Sequence, residues 1–207
     1  MTDDQLQSMR ADIAFMKELA EDGQQPSARV GGAILAAAGA VYAVAAGVQW
    51  GLLTGRLPFA PNASLVLWAG ATVLFLVLVF AAKAVWGRGG PRGPGSRANA
   101  SVWIGAGLGI GALVVAFFIA ANRTGQWGLL NLIAPSVLAL YGAAWFVNAA
   151  VTRRRLFTAI AVGCFITAAL MGFLADSANL LLAYAAALVL FALLPGLLLM
   201  RREPQAS

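Results

Sequence analysis

Residues 64–86 read SLVLWAGATVLFLVLVFAAKAVW, and Lys83 is the one charged side chain among them. Apolar residues follow one another here without a period of 2 or 3.6, which argues against a half-buried strand and against an amphipathic surface helix. The run is long enough to cross a hydrocarbon core of about 30 Å, which takes roughly 20 helical residues. Lipid offers no partner to backbone N–H and C=O groups, so a crossing segment must satisfy them internally. A barrel strand would be about 10 residues of alternating character. The stretch predicts a transmembrane helix.

Five further segments of the same kind flank it. The predicted spans are 31–53, 64–86, 101–121, 128–150, 156–174 and 178–200. Of the 207 residues 61% are apolar and 11% charged, and the mean hydropathy is +0.82. A soluble domain carries roughly 25% charged residues. The expected fold is an all-α integral membrane protein, a six-helix bundle over 31–200. A segment 1–30 precedes it and a tail 201–207 follows.

The net charge of +6 is unevenly placed. The gap after the second span holds Lys83, Arg88, Arg92 and Arg97, the gap after the fourth Arg153, Arg154 and Arg155, and the C-terminus Arg201 and Arg202. The first and third gaps carry one arginine each, Arg56 and Arg123, and the fifth only Asp176. Lys and Arg are retained on the cytoplasmic side in short loops, so both termini are expected there. This segregation explains the pI near 10.5 without a nucleic-acid partner. The bilayer is the expected partner instead. Twelve arginines to two lysines, with abundant Ala and Gly, suggest a GC-rich bacterial genome and hence a bacterial inner membrane.

Residues 1–30 lack the basic start and apolar core of a signal peptide. They are expected to form a cytoplasmic amphipathic helix and linker. Thr2 and Gln5 are spaced as a capping box, Asp3 and Asp4 suit the positive end of the helix dipole, and Gly23 and Pro26 mark the stop. Leu6, Met9, Ile13, Met16 and Ala20 draw one apolar stripe at helical spacing. Leu6, Met9, Ile13 and Met16 are the expected docking residues, for a protein partner or a second copy of the chain.

Gln49-Trp50-Gly51-Leu52-Leu53 recurs as Gln126-Trp127-Gly128-Leu129-Leu130, and at the same offset Gly32 matches Gly109, Pro58 matches Pro135 and Trp68 matches Trp145. Spans 1–2 and 3–4 thus read as copies of one hairpin, with 5–6 as a diverged third. Residues Gly87–Ala100, rich in Gly, Pro and Arg, read as a flexible loop. Pro195 should kink the last span unless the helix frays there, and Pro135 either kinks the fourth or opens it.

Candidate sites are few. Gly105, Gly109 and Gly111 in the third span, and Gly32, Gly39 and Gly47 in the first, read as helix-packing positions, since small residues let backbones approach. No strand precedes the third-span glycines, so a dinucleotide fingerprint is the wrong reading. Gln49, Trp50, Gln126, Trp127, Asn131, Tyr141 and Asn148 are the candidate ligand-lining residues. Trp68, Trp86 and Trp103 read as anchors at the membrane interface. The chain has no histidine and a single cysteine, Cys164, in an apolar run, and the acids outside the tail are Asp176 and Glu203. Histidine-based catalysis, disulfides and His-ligated metals are therefore excluded, and no catalytic residue, cofactor or metal is expected. Without ionisable groups at mid-span, proton-coupled transport is disfavoured. The expected function is that of a non-enzymatic module that docks a protein as anchor, regulator or sensor. The other reading is a small facilitator or a binder of lipid or another hydrophobic molecule.

Overall fold

A computed structural model describes residues 26–58, 63–87 and 94–201, together with Gln5, Gln7, Met9, Arg10, Asp12, Ile13 and Ala14. The described residues form helices and turns, and no strand occurs among them. The order is α1 (Pro26–Leu53), α2 (Ala63–Trp86), α3 (Pro94–Thr124), a 3-10 segment (Trp127–Leu132), α4 (Ile133–Thr152) and α5 (Arg155–Leu170). A second 3-10 segment (Met171–Leu174) follows, then α6 (Asn179–Leu188), a π-helical turn (Val189–Leu193) and α7 (Leu194–Met200). Six helical stretches are long and apolar enough to cross a membrane: Arg29–Leu53, Ala63–Trp86, Arg97–Thr124, Trp127–Thr152, Arg155–Leu174 and Asn179–Arg201, here spans 1 to 6.

Prolines and glycines set the helix ends. Pro26 opens α1, where its missing N–H costs nothing. At the other end Gly55 takes φ +69°, and its N–H bonds to Leu52 O while that of Arg56 bonds to Gly51 O, at 3.2 and 2.9 Å. These two bonds make a Schellman stop. Pro94 starts α3 in the same manner as Pro26, which corrects part of the expected loop: Pro94–Ala100 is helical. Residues 88–93 lie outside the described residues. Pro135 falls in the first turn of α4, after the 3-10 segment, where backbone N–H groups have no intrahelical partner in any case.

Pro195 neither frays nor breaks span 6. An α-helix would pair the carbonyl of Phe191 with the N–H of residue 195, which proline lacks. The chain answers by widening to a π-turn at Val189–Leu193 and continuing as α7.

Spans 1, 4 and 6 hold the core: within an 18-residue apolar stretch of each, 44, 39 and 39% of residues are buried, against 6% in the corresponding stretches of spans 2 and 3. Span 1 packs on α2 and along all of span 6, while α4 packs on α3 and, most extensively, on α5. Trp145, Leu138, Met171, Leu180, Leu188 and Cys164 are fully enclosed. For Cys164 this is the surrounding expected of a thiol acting as a small hydrophobe.

The glycine expectations divide. A Cβ on Gly32 would lie 2.8 Å from Gly196 O, and one on Gly39 would collide with the Leu193 backbone, so spans 1 and 6 touch backbone to backbone. Gly47, Gly105 and Gly111 are corrected, because a Cβ there meets nothing within 4 Å among the described residues. Gly47 lies eight residues past Gly39 and so has turned about 80° off the contact line. Span 3 meets the core through Trp103, Ala106 and Ile110; Gly105 and Gly111 are exposed, Gly105 beside a crevice toward Leu140 and Ala144 of span 4. Gly109 is in between, with Leu140 an ordinary 3.6 Å away. Unforeseen close contacts occur at Gly142, against the Phe165 ring, and at Gly163, against the Phe191 ring.

Candidate functional site

The N-terminal positions that are described are helical and exposed. Met9 and Ile13, one helical turn apart, are 48 and 59% accessible. Four residues place two side chains on one face, so these two form part of an uncovered apolar stripe. The other stripe residues Leu6, Met16 and Ala20, the capping residue Thr2 and the stop at Gly23 lie outside the described residues.

The two Gln-Trp pairs differ in setting. Gln49 and Trp50 belong to the last turns of α1. The Gln49 amide, buried, donates to Ser64 Oγ at 2.9 Å and leaves Oε1 without a partner. Trp50 donates its indole N–H to Asn179 Oδ1 at 3.4 Å, and the Arg56 guanidinium sits 4.4 Å above its ring. The Schellman stop turns Arg56 back over the helix end and so holds that stack. Gln126 and Trp127 are exposed and lie beyond α3, which ends at Thr124 before Gly125 turns the chain at φ +70°. Trp127 rests edge-on against Phe118 at 6.2 Å. The structure therefore gives the two pairs separate partners.

Span 4 carries the remaining candidates. Asn131 donates to Ala175 O at 2.7 Å and so ties the entry of span 4 to the turn between spans 5 and 6. Tyr141 and Asn148, seven residues apart on one face, are both buried. Trp145 lies between them and donates its indole N–H to Phe191 O at 3.0 Å. Trp103 reaches across from span 3 and sets its ring edge-on to Tyr141 at 5.7 Å and to Trp145 at 5.3 Å. Phe157 closes the far side of Trp145 at 5.1 Å.

All three tyrosines of the chain reach this core: Tyr141 from span 4, Tyr184 from span 6, and Tyr42 from span 1 at its edge. Tyr42 stacks on Trp68, tilts against Phe75 and donates to Thr72 Oγ1 at 3.4 Å. Tyr141 and Tyr184 are each more than nine-tenths buried; the buried side-chain polar atoms without a partner among the described residues are Gln49 Oε1 and Asn99 Oδ1. Val102, Gly105, Ala106, Leu140, Ala144 and Val147 line an apolar crevice of about 170 Å³ between spans 3 and 4.

Trp68 and Trp103, partly buried, pack against the core, and Trp145 is enclosed by it. The described residues are mainly helical, with six helical stretches long and apolar enough to cross a membrane. Comparison with protein-family models, with curated proteins and with solved structures finds no match to the chain.

Proposed function

We propose that this chain is a non-enzymatic, multi-pass protein of a bacterial inner membrane that docks a soluble cytoplasmic protein through its acidic N-terminal helix. One observation carries the reading: Met9 and Ile13 stand about half exposed, one turn apart, on a helix joined to a bundle of six apolar spans. Covering apolar surface is favourable by about 25 cal/mol per Å². A helix of this length is marginal alone in water, so a partner that covers the stripe also stabilises the helix.

Charge selects the partner. Residues 1–30 hold six acids and three basic residues, 3 − 6 = −3, which favours a groove rimmed by Lys and Arg. An anionic lipid surface repels such a segment, and interfacial helices normally carry a basic polar face. The Lys/Arg-rich gaps support placing both termini, and hence the partner, in the cytoplasm. The bundle then serves as anchor. The test is Ile13→Asp in the full-length chain: a protein that co-purifies with the wild type should be lost while membrane insertion is unchanged. Co-purification that survives the substitution, or a partner that is only a second copy, overturns the reading.

A further inference from the structure

We propose that the acidic side of the N-terminal segment rests on the turn Arg153–Arg155 of its own bundle and so points the Met9–Ile13 stripe outward. The proposal rests on the docking reading and adds what orients the docking face.

The turn is the most concentrated charge among the described residues. Span 4 ends at Thr152 and span 5 begins at Arg155, so Arg153 and Arg154 alone separate two helices that pack extensively on each other. Three consecutive arginines therefore stand exposed on a short connection between packed helices. Arg153 takes φ +53° and is the one non-glycine residue with positive φ among the described residues. A left-handed stop after a helix normally takes glycine. A topology signal needs Lys or Arg near the span ends but not at that position, so charge is kept here against backbone preference.

The bundle offers nothing to neutralise it. Asp176 is the only acid among the described residues of 26–201, and it lies past the far end of span 5, about 30 Å along the helix from Arg155. The spans alternate in direction, so the turn lies at the same end of the bundle as Pro26, where the N-terminal segment enters.

That segment carries what the turn lacks. At about 100° per residue, Asp4, Glu18 and Asp22 share one side of a helix, opposite the line through Met9 and Ile13. These three lie outside the described residues, and the spacing alone places them. Twenty helical residues span about 30 Å, and two steps of about 8–10 Å lead from span 1 through span 6 to span 4. The segment is long enough to reach the turn. Laid acid side down, it leaves Met9 and Ile13 uncovered, as they are. Asp3, Asp12 and Glu21 flank the stripe and remain for a basic rim on the partner. Anionic headgroups compete for the arginines, but the tethered segment brings three charges together at high effective concentration.

The experiment uses full-length Arg154→Lys, purified without a partner in phosphatidylcholine nanodiscs and treated with a carbodiimide, which joins an ammonium to a carboxylate in direct contact. The substitution keeps the charge at an exposed position, so the fold is retained. Peptide mass spectrometry should find position 154 linked to Asp4, Glu18 or Asp22, and isotope-mixed protein should show the link to lie within one chain. Adding Arg153→Gln and Arg155→Gln, or raising salt from about 0.1 to about 1 M, should lower the link about fivefold, since the screening length falls from about 10 to about 3 Å over that range. Ile13→Asp should leave it unchanged, so loss of partner capture with the link intact overturns the docking reading alone. No link, or a link only between copies, overturns the proposal. A link that disappears once phosphatidylglycerol is mixed in overturns it too, and assigns the arginines to headgroups.

Discussion

Trp145 donates its indole N–H to the carbonyl of Phe191 at 3.0 Å, and that carbonyl is the one Pro195 leaves without its α-helical partner. A side chain of span 4 thus repairs the backbone of span 6. Where lipid excludes water, such a repair joins two spans at a fixed register.

Trp145→Phe should therefore lower stability by about 1–3 kcal/mol, through the orphaned carbonyl as well as the smaller ring. Pro195→Ala restores an N–H at position 195. In that background the same substitution should cost less, while the ring-size effect is common to both and cancels in the cycle. Thermal unfolding of the four proteins in detergent measures it, and equal costs in the two backgrounds contradict the account.

The contact between spans 1 and 6 predicts a contrast between glycines. Gly39→Ala forces a methyl into the Leu193 backbone and should cost about 1–3 kcal/mol. Gly111→Ala meets open space and should be neutral, or stabilise by up to about 1 kcal/mol through helix propensity. Melting temperatures in one detergent separate the two.

Asn131→Leu removes the N–H that holds Ala175 O. The turn between spans 5 and 6 should loosen, and amide hydrogen exchange at residues 175–179 should rise while that of α4 stays unchanged. A uniform rise over the whole chain would mean that the bond supports the bundle rather than the turn.

The threading also has a direct check. A reporter active only outside the cytoplasm should be silent after Ser207 and active beside Asp176, because Lys and Arg gather in the gaps on the side of the termini. The reverse pattern contradicts it.

The six spans were legible because length and unbroken hydropathy are properties of a single segment. Residues 64–86 predict a helix with no knowledge of its neighbours, and α2 begins and ends within a residue of those limits. Packing is a relation between segments, and there the sequence misleads. Gly105 and Gly111 look as suited to a helix contact as Gly32 and Gly39, yet only the latter pair faces another backbone. The Gln-Trp repeat is similar text in two settings, one inside α1 and one beyond the end of α3. The carbonyl that the π-turn ahead of Pro195 leaves over is met by the indole N–H donated from Trp145, 50 residues before the proline.

The central claim is that the N-terminal stripe is covered by a soluble protein, and position 9 reports on it most directly. A photo-crosslinking amino acid in place of Met9 in the full-length chain, activated in intact cells, should give one discrete protein adduct. Adding Ile13→Asp should abolish that adduct with the amount of membrane-inserted chain unchanged. Adducts to lipid alone, or a protein adduct that survives Ile13→Asp, contradict the claim.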